Sequence, residues 1–362
     1  MLKSLRLQNF RNYSKRTFEF SDKTTLIVGP NAIGKTNVLE AIYLLATGRS
    51  FRAEEEKELV KEGESFFRVD GGLEEKEVSL MGLMGPMGPM RKIYQVNGVN
   101  RRQVDFVGNL RAVLFNPQDL EIVVNSPATR RKYLDLVLLQ VHKDYRVAIG
   151  IYERALRQRN HLLRRIRDEN LQFTIYNSQL EYWDRLLVEN GKIIHERRKD
   201  FLSYLSHWSN STNLVFPISL HYDHSIISEE RLAKYREAEI GAGVTLVGPQ
   251  RDDFVISQIR NFKSETRNRD VRLFGSRGEQ RLAVFAIKLG ELEYVNGQSL
   301  IINDQSGSKP ILLLDDIFSE LDHENRHHIL EVIPKQQTIM TTTDLHLVEK
   351  EFLKHVEVVK LG

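Results

Sequence analysis

The chain has 362 residues, of which 41% are hydrophobic and 28% charged, with a formal net charge of +3 and no cysteine. That length supports one large or two modest domains with a sizeable core, and the composition is that of an ordinary soluble globular protein. Without cysteine there is neither a disulfide nor a Cys-ligated zinc site, and so small a net charge says little by itself about partners.

The opening MLKSLRLQNF alternates Leu with polar residues and lacks the apolar core of a signal peptide. No run reaches the length of a membrane span, so a cytoplasmic protein without a membrane partner is expected. Leu2, Leu5, Leu7 and Phe10 begin a strand, Phe18-Glu19-Phe20 another, and Thr24–Val28 reads as a compact buried strand ending at Gly29. Thr36 to Leu45 continues as a helix, and strand-like stretches follow at 66–70, 76–81, 92–96 and 111–115. The run MGLMGPMGPM (81–90) holds four of the six Met residues and reads as a loop with adaptable apolar side chains.

From about 126 to about 237 the pattern turns helical. Ser126-Pro127 is a helix-start signal, and Ser178 with Glu181 resembles a capping box. No heptad is sustained, so the predicted insertion is compact rather than a coiled-coil arm. After about 240, strand and turn signals return, followed by the helical stretch 273–291, the buried strand Ile311–Leu314 and strand-like Thr338–Thr343. The expected fold class is α/β. One lobe is assembled from both chain termini (1–120 and 240–362), with a helical lobe (121–239) inserted.

Gly29-Pro30-Asn31-Ala32-Ile33-Gly34-Lys35-Thr36 satisfies G-x-x-x-x-G-K-[ST] between a buried strand and a helix, the context in which that pattern binds nucleotide phosphates. The two glycines let successive N–H groups face the phosphates, Lys35 reaches the terminal phosphates, and the Thr36 hydroxyl is a ligand for Mg²⁺. Asp315, at the end of four aliphatic residues, is the second candidate metal ligand. Asp316 beside it is the candidate catalytic group polarising the attacking water, and Gln118, near the lobe junction, is a candidate sensor of metal and water. Between Arg130 and Arg167 there are 11 Lys and Arg against 3 acids, an excess suited to phosphate-backbone contact without base reading. Arg130, Arg131, Lys132, Arg157, Arg164 and Arg165 are the candidate DNA contacts.

Lys35 and Asp315 are 280 residues apart, with Ser276–Gln280 before Asp315 and Ser319–Asp322 after it. That order resembles ABC-type ATPases. The resemblance implies that Ser276, Arg277, Gly278, Glu279 and Gln280 form the signature loop, which meets the γ-phosphate held by a second subunit. Ser319 and Asp322 would line the same interface, with ATP sandwiched in a symmetric dimer that hydrolysis releases. Leu7–Tyr13, PQDLEIVVNSPATRRKYLD (117–135), GPQRDDF (248–254) and LLLDDIFSELD (312–322) further resemble the RecF family of bacterial recombination mediators. That resemblance implies ATP-dependent dimerisation, binding of double-stranded DNA at single-strand/double-strand junctions, weak DNA-stimulated ATPase activity, and work with RecR and RecO to load RecA. The chain departs from the family pattern at Gln118, Asn125 and Gln250. At the switch position it carries Thr341-Thr342-Thr343-Asp344. A transport ATPase subunit is an alternative, though it would show no basic helical lobe. A Rad50- or SMC-like tether is another, and would need a long heptad arm.

Overall fold

The alternating apolar residues of the N-terminus form β1 (Leu2–Phe10), which pairs antiparallel with β2 (Tyr13–Glu19) and β4 (Phe66–Leu73). With β5 (Glu77–Leu83), β6 (Arg91–Val96) and β7 (Val99–Arg101) these make a six-stranded sheet in the order β2-β1-β4-β5-β6-β7. The computed structural model describes residues 1–85, 90–169, 173–212, 216–262, 265–301, 309–317, 333–348 and 350–362. Part of the Met/Gly/Pro run therefore lies outside the described residues.

A second, parallel sheet has the order β14-β3-β13-β12-β8, from β3 (Thr24–Val28), β8 (Ala112–Phe115), β12 (Ile311–Asp315), β13 (Thr338–Thr342) and β14 (Glu357–Lys360). Strands β8, β12 and β13 are buried along their whole length, which is why β8 and the first four residues of β12 read as unbroken apolar runs rather than as alternation. Helix α1 (Lys35–Thr47) touches strands of both sheets, and 11 of its 13 residues are buried. A helix apolar on all sides can only be stable when enclosed in this way. Buried Gln337 links the sheets: its amide accepts from Leu2 N–H (2.8 Å) and donates to the Leu2 and Ser21 carbonyls (2.7 and 2.9 Å). This unit comprises Met1–Asp119 and Glu291–Gly362.

The second unit is Leu120–Gly290. It contains α4 (Pro127–Val141), α5 (Lys143–Asp168, 26 residues), α6 (Phe173–Ser211, 39 residues) and α7 (Glu229–Ala242). Asp144–Arg197, Arg159–Asp184 and the cluster of Leu162, Leu163 and Ile166 with Leu180 pair α5 antiparallel to α6. At 1.5 Å per residue these helices are about 39 and 58 Å long. Two expectations change here. Ser178–Glu181 does not start a helix: α6 runs through it without a break, and Glu181 instead accepts a hydrogen bond from Asn177 Nδ2 (2.7 Å). The boundary expected near 240 falls at 290, within α9 (Arg277–Ile301). The intervening chain stays with the helices because β10 (Asp253–Phe262) pairs with both β9 (Ile218–Asp223) and β11 (Glu265–Asp270), so the second unit carries its own three-stranded antiparallel sheet. Among the described residues no helix is long and apolar enough to cross a membrane.

Candidate nucleotide site

Ligand sites in parallel sheets form beyond the carboxyl ends of the strands, where loops and helix N-termini converge. Here β3 delivers the Gly29–Thr36 loop to that edge, β12 delivers Asp315 and Asp316, β13 delivers Thr341, and β8 runs into Asn116–Gln118. The registers Leu314↔Phe115, Asp315↔Thr341 and Thr342↔Val28 align these ends in one row.

The loop curls because Ala32 (φ 62°) and Gly34 (φ 113°) both adopt left-handed conformations before α1 begins at Lys35. At Gly34 a side chain has no room: a Cβ would lie 2.7 Å from Asn12 Nδ2 and 2.8 Å from the Tyr13 hydroxyl. Lys35 Nζ donates to the Gly29 and Pro30 carbonyls (2.7 and 2.9 Å), folding its cation over the loop. Burial lowers the Lys35 ammonium below its ordinary value, opposed by the negative charges of Asp316 and Asp315.

The Thr36 hydroxyl contacts both Asp315 oxygens at 3.0 and 2.9 Å, and Thr341 Oγ1 donates to Asp315 Oδ1 at 2.7 Å. Cis oxygen ligands on an octahedral ion at about 2.1 Å lie about 3.0 Å apart. The Thr36 and Asp315 oxygens therefore stand at a spacing that two ligands of one Mg²⁺ ion could keep, once the Thr36 proton turns away. Asp316 takes a left-handed conformation (φ 49°), and its N–H donates to Thr341 Oγ1 at 3.0 Å. One buried hydroxyl thus bonds the Asp315 carboxylate and fixes the backbone of Asp316. Gln118 is exposed after β8, its N–H donating to Asn116 Oδ1 at 2.7 Å, in a turn closed by Asn116 N–H on Asp119 (2.8 Å).

Sequence reasoning missed three contributors. Thr341 sat in the switch segment without an assigned partner. Asn12 and Tyr13 lay in a recognised block but had no role, although Asn12 Nδ2 donates to Ile33 O (2.9 Å) and the Tyr13 hydroxyl to Gly34 O (3.2 Å).

In the second unit, Ser276–Gln280 leads into α9. Ser276 N–H donates to Glu279 (2.7 Å) and Glu279 N–H to Ser276 Oγ (3.3 Å), a reciprocal capping box that neither residue's place in the signature pattern announced. Ser276, Arg277 and Gly278 are exposed, while Glu279 and Gln280 are partly buried. Ser319 and Asp322 lie outside the described residues.

The basic residues divide. Arg130 is only 2% exposed, and its guanidinium pairs with Asp253 (2.5 and 3.0 Å) and donates to the Asn125 carbonyl (2.8 Å). Arg131 donates to the Asp252 carbonyl (2.7 Å). Both belong to a polar core centred on buried Arg198, which holds Asp252 (2.9 Å), Asp135 (2.8 Å) and the Pro249 carbonyl (2.8 Å). The expectation that Arg130 meets DNA is therefore corrected, because a cation locked to an internal carboxylate is not presented to solvent. The blocks 127–135 and 248–254 are two sides of this network. Lys132, Arg157, Arg164 and Arg165 remain exposed, Arg165 beside Glu169 (3.1 Å).

The family described as the RecF/RecN/SMC N terminal domain matches residues 1–360. The chain is similar to the DNA replication and repair protein RecF of Exiguobacterium sp., at 35% identity over 99% of this chain and 96% of that protein. It is also similar to that of Oceanobacillus iheyensis, at 32% identity over 99% and 98%. Among solved structures, the recombination mediator protein RecF of the RecFOR pathway, bound to ATPrS, aligns with TM-score 0.80 at 33% identity, covering 96% of this chain and 94% of that one. The RecF–ATP structure aligns with TM-score 0.80 at 32% identity, covering 96% and 93%. With matches of this identity running the length of the chain, and a phosphate loop facing paired aspartates, the protein belongs to the RecF family of DNA replication and repair ATPases.

Proposed function

We propose that the chain binds Mg²⁺–ATP on the row formed by Gly29–Thr36, Asp315 and Asp316, and that ATP closes two copies of it around double-stranded DNA. The observation that carries this reading is the convergence of Thr36, Asp315 and Thr341 within hydrogen-bond distance of one another beside the phosphate loop. The loop N–H groups and Lys35 bind the phosphates, with Lys35 exchanging the Gly29 and Pro30 carbonyls for phosphate oxygens. Thr36 and Asp315 would hold Mg²⁺, which would supply positive charge against the developing negative charge of the phosphates. Asp316 orients the water that attacks the γ-phosphorus as the bond to the β-phosphate oxygen breaks, giving ADP and phosphate, while Gln118 senses the occupied site.

Ser276, Arg277, Gly278, Glu279 and Gln280 act in trans on the γ-phosphate held by the second copy, with Ser319 and Asp322 at that interface. The exposure of Ser276, Arg277 and Gly278 at the start of a long helix supports this role. Hydrolysis removes the bridging phosphate and opens the dimer. Lys132, Arg157, Arg164 and Arg165 contact the DNA backbone near single-strand gaps, DNA stimulates a slow hydrolysis, and RecR and RecO act with the clamp to load RecA.

The test is the mass of the protein in solution with ATP, with ADP and with added duplex DNA. ATP gives a dimer and ADP a monomer. Lys35→Met loses nucleotide binding and dimerisation together, whereas Ser276→Arg keeps nucleotide binding but stays monomeric. An ATP-dependent dimer that survives Ser276→Arg would remove the trans role of the signature loop.

A further inference from the structure

We infer that the turn joining β1 to β2 is a brace that sets the shape of the phosphate loop, with Asn12 and Tyr13 as positioning residues for nucleotide binding; this rests on the ATP-site reading above. A phosphate loop without its ligand gathers N–H dipoles that repel one another, so something outside the loop must hold it. Within the loop, Lys35 Nζ ties the Gly29 and Pro30 carbonyls at its start, but toward its end Ile33 N–H donates to Pro30 O only at a long 3.5 Å, and Ala32 carries a left-handed conformation without being glycine.

The outside support comes from Asn12 and Tyr13. Asn12 Nδ2 donates to the Ile33 carbonyl (2.9 Å), while its Oδ1 accepts from Asn37 Nδ2 (2.7 Å) on the first turn of α1. One amide therefore spans the loop and the helix it feeds. The Tyr13 hydroxyl donates to the Gly34 carbonyl (3.2 Å), and burial raises its pKa, so it stays a donor throughout the physiological range. Both groups sit where a Cβ on Gly34 would stand, which ties the glycine of the motif to these two partners as well as to the phosphates.

The brace is itself held in an unusual shape. Asn9 (φ 50°) and Arg11 (φ 53°) are both left-handed non-glycine residues. Arg11 N–H donates to Leu59 O (2.9 Å), and Lys61 N–H donates to Asn9 O (2.8 Å). The Arg11 guanidinium forks onto Glu40 of α1 (2.9 and 2.7 Å), whose side chain is fully buried and also takes Ser50 Oγ (2.6 Å) and Arg52 (3.1 Å). The turn and the helix are thereby locked to each other below the loop, and Asn12 and Tyr13 are aimed from that lock.

The experiment compares Asn12→Ala and Tyr13→Phe with the full-length wild type and with Lys35→Met. Binding of a fluorescent ATP analogue, steady-state ATPase kinetics, urea unfolding and amide hydrogen exchange of residues 31–36 without nucleotide are measured. The expected result is a Kd and KM raised about tenfold in Asn12→Ala and about threefold in Tyr13→Phe, with kcat within about twofold, an unchanged urea midpoint and faster exchange in the loop. The inference is overturned if Kd stays within twofold in both variants. It is equally overturned if kcat falls while KM does not, or if binding weakens only in step with global stability. Lys35→Met binding the analogue as tightly as wild type would instead remove the ATP-site reading itself.

Discussion

Thr341→Val removes one hydroxyl and changes little else. Thr341 is 1% exposed in the middle strand of the parallel sheet, between the strands carrying the phosphate loop and the aspartates. Valine keeps the branched shape and the strand preference, so the backbone holds. Two interactions are lost: the 2.7 Å donation to Asp315 and the 3.0 Å acceptance from Asp316 N–H. A hydrogen bond to a charged group is worth about 1.5–3 kcal/mol, and a buried N–H left without an acceptor costs about 1–3 kcal/mol. Some of that is offset by burying a methyl in place of a hydroxyl, so a net destabilisation of about 2–3 kcal/mol in urea unfolding is expected. Because the lost hydroxyl orients the carboxylate proposed to hold Mg²⁺, the Mg²⁺ concentration for half-maximal ATPase activity should rise about 10- to 100-fold. The assay is a Mg²⁺ titration of ATP hydrolysis at saturating ATP, alongside urea unfolding. An unchanged Mg²⁺ dependence together with wild-type stability would refute the assignment of Thr341 as the residue that holds the Asp315 carboxylate and the Asp316 backbone.

Arg130→Met should destabilise the fold by about 3 kcal/mol, read as a lower urea midpoint, because it leaves Asp253 without its cation while exposing no new charge to DNA. The salt dependence of DNA binding should not move in that variant. Arg157→Ala, Arg164→Ala and Arg165→Ala combined should leave stability unchanged and flatten the log–log salt slope by up to about 2.7, at about 0.9 per phosphate contact, measured by binding duplex DNA across a salt series. His142, 7% exposed, has its imidazole pushed down to about 4 by burial, with the Arg197 cation acting in the same direction. The folded state thus prefers the neutral ring. The stability this represents is full above the unfolded pKa near 6.5 and is lost as pH falls toward 4, with about 1–2 kcal/mol gone by pH 5. Urea midpoints at pH 7 and pH 5 should differ accordingly, and His142→Gln should lessen the difference. Arg198→Met strips the shared cation from Asp135 and Asp252 and should destabilise by about 3–5 kcal/mol, the largest loss among these variants in the same unfolding assay.

Much of the candidate site was legible because its signals are local. A buried strand, a glycine-bounded loop and a helix follow one another within Thr24–Thr47, so chain order alone brings Gly29–Thr36 to the strand end. Asp315 was legible for the same reason, since four aliphatic residues place it at the end of a buried strand. The limits appear where a side chain's meaning depends on a partner far along the chain. Arg130 and Arg157 are the same residue type within one basic stretch. The first is internal because Asp253, 123 residues away, receives it, and the second is exposed. The boundary at 290 rather than 240 has the same origin, in the pairing of β10 with β9, which periodicity within either strand does not encode.

By itself, then, the sequence determined the local pattern: where a glycine-bounded loop joins a buried strand to a helix, which acids end a buried strand, and where the chain alternates between α/β and helical character. Only the tertiary structure decided which hydroxyl holds those acids, which turn supports the loop, and which arginines face water. The physical reason is that backbone propensity and hydrophobic period act over a few residues, whereas burial and charge pairing are set by what the folded chain brings alongside.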